Sequence, residues 1–146
     1  MPYRLDVTDR LHRRMLEIVG TALRLIPGSV KDADFAGLSY LRDEMVQAMD
    51  SYCQHVHRSR DDALRSGDSA AAAEHERLVL GCSSLRRTYE AFRARWDHRD
   101  AVHNWYEYRL SAIVMMKHVR NHVLDAQQLR ASQEPAAAWP PLAKAG

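Results

Sequence analysis

Between Pro27 and Pro135 the chain contains no proline. A proline inside a helix removes a backbone hydrogen bond and clashes with the preceding turn, at about 3 kcal/mol. Folds built of strands and turns need proline and glycine at their corners. This chain has only six glycines in 146 residues, so corners are few and long helices are the expected fold. A mass of 16.7 kDa suits one hydrophobic core, and 46% apolar with 27% charged residues is a globular balance rather than a disordered one.

Charge and hydropathy narrow the functional classes. The formal net charge of +2 lacks the basic excess of a nucleic-acid binder. The longest apolar runs, such as AIVMM at 112–116, fall far short of a membrane span. The start, MPYRLDVTDRL, has no apolar leader region. Cys53 and Cys82 occupy no motif spacing, so they read as buried free thiols in a reducing compartment. The expectation is a cytoplasmic protein without nucleic-acid or membrane partners.

Turn signals divide the chain into four helical segments. The first starts near Asp6 or Thr8, either of which can cap it, and carries apolar residues at helical spacing from Leu11 to Ile26 until Pro27-Gly28 stops it. The second carries Leu38, Leu41, Met45, Met49, Tyr52 and Val56 and ends at Ser66-Gly67-Asp68. The third keeps a heptad from His75 through Leu78, Cys82, Leu85 and Tyr89 to Trp96. A turn at 96–100, with Asp97 or Asp100 as cap, leads to the fourth, whose seam runs from Trp105 to Leu129. Together these predict an all-α, antiparallel up-down-up-down four-helix bundle over residues 1–130. Residues 131–146 form a Pro/Ala-rich tail in which Trp139 is the one aromatic. A second apolar stripe on the fourth helix (Val102, Tyr106, Leu110, Ile113) lies opposite its seam and predicts a homodimer.

Eight histidines are the compositional hint of chemistry. A bundle metal site needs ligands from several helices at one height. At about 1.5 Å per residue, His57, Asp61, His75, His118 and His122 fall in one slab above the Gly67 turn. His12 lies on the apolar face of the first helix, His55 flanks the second as a substitute for His57, and His98 and His103 fall elsewhere. The alternative for each imidazole is a hydrogen-bonded core residue.

The pattern resembles the hemerythrin-like cation-binding domains. The family has one histidine on its first helix, H-x-x-x-E on its second, one histidine on its third and H-x-x-x-E on its fourth. Here the matching positions are His12 in DRLHRRM, His57 and Asp61 in HRSRDDAL, His75 in AEHERL, and His118 and His122 in KHVRNHVL. The resemblance implies non-haem iron between the helices and binding, storage or sensing of O₂, with no catalytic residues. Asp61 and His122 replace the family's glutamates, so a di-iron and a mononuclear site both stay open, with Zn or Ni as alternative ions. The chain is also similar to DinB-like bundles, which implies a mononuclear, hydrolase-type site of His55 or His57 with His118 and His122. The remaining reading is a metal-free helical dimerisation or interaction protein. No Glu-x-x-His, P-loop or dinucleotide fingerprint supports another enzyme class.

Overall fold

The computed structural model describes residues 6–133, and these are all-helical with short connections. Helix α1 spans Val7–Arg24, α2 Phe35–Ser66, α3 Ser69–Arg95, α4 His98–His103 and α5 Trp105–Gln133. A single 3₁₀ turn, Val30–Asp32, interrupts the α1–α2 connection. Helix α1 packs against α2 and α5, α2 against α3, and α3 against α5, so the four long helices form a closed ring.

Side chains set the helix starts. Asp6, Asp34, Asp68 and Asp97 each accept a hydrogen bond from the backbone N–H three residues on, at 2.7–3.0 Å. Such a cap satisfies a donor the helix leaves unpaired and contributes about 1 kcal/mol. Of the two caps expected for α1, Asp6 serves, and of the two expected at 96–100, Asp97 does. The turn there holds more than a reversal: α4 is a separate six-residue helix, and a second break at Asn104 precedes α5. Helix α5 continues three residues past the expected boundary at 130, to Gln133. The rest of the expected tail, Trp139 included, lies outside the described residues.

Gly67 ends α2 with φ +77°, in the left-handed region where a Cβ is strained. The chain therefore reverses there, and α3 returns along α2. Cys53 precedes Gly67 by fourteen residues and Cys82 follows it by fifteen, so both stand about 21 Å from the turn. Their Cα atoms are 5.9 Å apart and the sulfurs are joined, within the range a disulfide requires. The expectation of free thiols is thus corrected: the cysteines are buried, at 7% and 2% exposure, but bonded to each other. A separation of 29 residues matches no sequence motif; equal distance from a hairpin turn brings them together. The inference from the cysteines to a reducing compartment loses its basis. Among the described residues no helix is long and apolar enough to cross a membrane.

The main core lies between the four long helices and includes Met15, Ile18, Met45, Tyr52, Val56, Val119 and Val123, each at most 1% exposed. A smaller cluster of Ile26, Leu38, Trp96, Trp105 and Tyr108 closes the end that bears α4. There the Trp105 indole N–H donates to the Pro27 carbonyl at 3.3 Å, tying the α1–α2 connection to α5. Phe35 meets Trp105 edge-on at 5.5 Å and Trp96 meets Tyr108 likewise at 5.6 Å, the geometry ring quadrupoles favour.

The disulfide predicts its own energetic signature. Closing a loop of this length restricts the unfolded chain by about 3–4 kcal/mol. Reduction under denaturing conditions and refolding in reductant, or the double replacement C53S/C82S, should lower the urea midpoint accordingly. An unchanged midpoint would mean that the α2–α3 hairpin does not depend on the cross-link. Thiol reagents should label neither cysteine until both denaturant and reductant are present.

Candidate functional site

The six residues expected to share one site divide by direction. His12, on α1, is fully buried. His122, on α5, is half-buried, and both imidazoles pack on the ring of Tyr52 from α2, with centroids at 5.0 and 5.5 Å. The Tyr52 hydroxyl and His122 Nε2 share a hydrogen bond of 3.0 Å. His57 is half-buried on the flank of α2, and Asp61 is exposed beside Arg60 at 3.3 Å. His75 turns back on its own helix, its Nδ1 donating to the Ala71 carbonyl at 2.7 Å. His118 is exposed and lines an open groove between α3 and α5. His55, the substitute for His57, bonds instead to the Thr8 hydroxyl at 2.8 Å.

Rotation about the helix axis separates what height aligned. Four residues advance a helix by about 400°, so H-x-x-x-H partners differ by about 40° in direction. On α5 that rotation carries His122 to the edge of the core and His118 onto the outside. Among the described residues no group of three or more His, Cys, Asp or Glu side chains is placed to hold a metal ion. The residues present therefore do not fit the bridged iron pair that the hemerythrin resemblance implies, nor the three-histidine site of the DinB-like resemblance.

What the fold does assemble is a His12–Tyr52–His122 cluster. Tyr52 belongs to the apolar seam of α2 and was legible as core; its role as the shared partner of two histidines was not. The available signal was a hydroxyl on a buried seam, which needs a hydrogen-bond partner. Gly81, in the middle of α3, makes the third wall: a Cβ there would stand 3.1 Å from Cε1 of His122. A mid-helix glycine costs about 1 kcal/mol relative to alanine, and the space it leaves admits the imidazole.

The electrostatics keep this cluster neutral. Burial lowers the His12 pKa to about 4, helped by His122 and Arg130 and opposed by Asp9 and Asp6. Burial likewise lowers His122, against the pull of Asp125, and His55, against Asp6. It pushes the Tyr52 phenol well above its usual value. Beside the cluster, Arg130 at the end of α5 reaches Asp9 at 2.6 Å and also contacts Asp6, joining the last turns of α5 to the start of α1. Burial alone would raise the Asp6 carboxyl; the Asp9 backbone N–H and the Arg130 guanidinium outweigh it and hold the pKa down.

Among the described residues neither ring nitrogen of His12 has a hydrogen-bond partner. A neutral imidazole carries one donor and one acceptor, and leaving a buried group unpaired costs about 1–3 kcal/mol. The Tyr52–His122 pair is a hydrogen-bonded polar inclusion in an apolar core. No family model matches the chain, and the comparisons with curated proteins and with solved structures found no match.

The sign of the pH dependence follows from His12. The unfolded imidazole takes up a proton near pH 6.5, whereas the folded one resists until about 4. Its contribution to stability is thus complete above the unfolded value and is lost as pH falls through that window, by about 3 kcal/mol in total. His122 and His55 act in the same direction. Denaturation at pH 7 and pH 4 should show this loss, and His12→Met should remove the larger part while keeping or raising stability at pH 7. Equal pH slopes for the two proteins would contradict the assignment.

Proposed function

We propose that this chain is a helical interaction module and that its contact surface is the outward face of α5 with the adjoining α3–α5 groove. One observation carries the reading. Tyr106, Leu110 and Val114, at successive four-residue steps on α5, are 71%, 46% and 54% exposed, and Leu124 continues the face at 46%. Leaving such side chains in water forgoes about 25 cal/mol per Å² of apolar surface, and a continuous exposed stripe marks an interaction surface more often than a solvated one. The fold gives these residues no internal role, because α5 already buries Trp105, Tyr108, Ala112, Met115, Val119 and Val123 on its other side.

The groove beside the stripe has a volume of about 490 Å³ and is walled by Phe92 of α3, by Trp96 just after that helix, and by Leu110, Val114 and His118 of α5. Arg95, the residue before Trp96, stacks its guanidinium on that ring at 3.9 Å, so its charge stays at the rim while the wall remains apolar. A partner helix laid along α5 would cover both features. We read the ring of four packed helices as an antiparallel four-helix bundle, in which one face of each helix serves the core and a second apolar face has no internal use. The metal-centred readings need His57, Asp61, His75 or His118 in a shared ligand group, and among the described residues no such group of three is formed; the exposed apolar face supports the interaction reading.

The double variant L110D/V114D tests it. Both side chains lie outside the core, so the circular dichroism spectrum and melting temperature should stay near wild type. Cross-linking of the tagged chain in its host should capture assemblies, its own or mixed, that the variant loses. Identical cross-linking patterns for the two proteins would remove the reading.

A further inference from the structure

We propose that the occupant of the α5 face is a second copy of this chain, docked with its α5 antiparallel to the first about a two-fold axis near residue 112. The proposal rests on the interaction reading above and adds the identity and register of the partner. A two-fold interface uses the same patch twice, so each residue must suit the one it meets across the axis. The outward face of α5 meets that condition. With the axis at residue 112, Leu110 faces Val114 of the partner subunit, apolar on apolar, and the reciprocal contact repeats it. Glu107 faces Lys117 of the partner subunit, opposite charges at both ends.

These positions share one side of the helix. Successive residues are rotated by about 100°, which places 107, 110, 114 and 117 within a sector about 80° wide. All four are exposed in the single chain. A parallel pairing would place Glu107 against Glu107 and Lys117 against Lys117, like charges that repel. The sequence of the stripe therefore selects the antiparallel arrangement. Arg95 stands 3.9 Å from Glu107 within the chain and shields that carboxylate only partly, at the solvent-exposed rim.

Sedimentation equilibrium on the purified full-length chain, oxidised and alone, is the direct test. The wild type should show a reversible monomer–dimer equilibrium. L110D/V114D should weaken it about a hundredfold or more, as loss of a central apolar contact does. Glu107→Lys and Lys117→Glu should each raise the dimer Kd about tenfold, since each change turns two attractive pairs into repulsive ones, and E107K/K117E together should restore it. Failure of the double reversal to rescue would overturn the antiparallel register. A wild type that stays monomeric while host cross-links still depend on Leu110 and Val114 would overturn the second copy and leave the interaction reading standing, with a foreign partner. A dimer that forms only after removal of residues 134–146 would also overturn the proposal, because the chain's own end would then be the resident occupant. A monomer whose host cross-links ignore the variant would remove both readings together.

Discussion

The α2–α3 hairpin is the constraint on which the other features depend. Its reversal at Gly67 requires a left-handed residue, and the Cys53–Cys82 bond locks the two helices at one register about 21 Å above the turn. A slip of one residue along either helix would rotate its side chains by about 100° and separate the sulfurs. The neighbours of the two cysteines are the residues that receive His122: Tyr52 offers its hydroxyl, and Gly81 leaves room for the ring. Helix α5 is thus seated against the hairpin by one specific polar contact as well as by Val119 and Val123, and α1 follows by stacking His12 on the same tyrosine.

That polar contact lies inside an otherwise apolar core. A buried hydrogen bond gains little net free energy, about 1 kcal/mol, but its loss leaves groups unpaired, which costs more. Such a pair penalises alternative packings more than it stabilises the native one. His12 is different, because among the described residues its two nitrogens find no partner, and its low pKa records the cost of charging it where it sits. The Arg130–Asp6–Asp9 cluster at the edge supplies the compensating fixation of α1 against α5 from the solvent side.

On the opposite side α5 presents a surface that the single chain does not use. The same helix is apolar on two faces. The inner face closes the bundle; the outer one, with Glu107 and Lys117 bracketing Leu110 and Val114, has a pattern that is complementary to itself when reversed. Core packing and surface pattern are independent on one helix because 3.6 residues per turn give it two opposed stripes. That independence is what allows an interaction role to be carried by a helix whose other side is fully committed.

Much of this architecture was legible in the residues. The absence of proline, the aspartates ahead of each apolar run and the glycine at 67 determine which segments are helical and where most of them begin, because capping and helix-breaking are local properties of the backbone. The second stripe was legible in part: Tyr106 and Leu110 are exposed on α5, whereas Val102 falls on α4 beyond the Asn104 break and Ile113 is half-buried. The break at Asn104 was not, because no glycine or proline marks it. Contacts across helices lay beyond local pattern. Counting residues from a turn yields height, and height alone placed His57, Asp61, His75, His118 and His122 in one slab; burial separates them, with His122 half-buried against Tyr52 and Asp61 and His118 exposed. Cys53 and Cys82 met, and Tyr52 came between His12 and His122, only through the way α1, α2, α3 and α5 face one another. The local sequence determined the helices and their stripes; the mutual rotation of the helices, which only the packed core decides, selected which polar side chains share a neighbourhood.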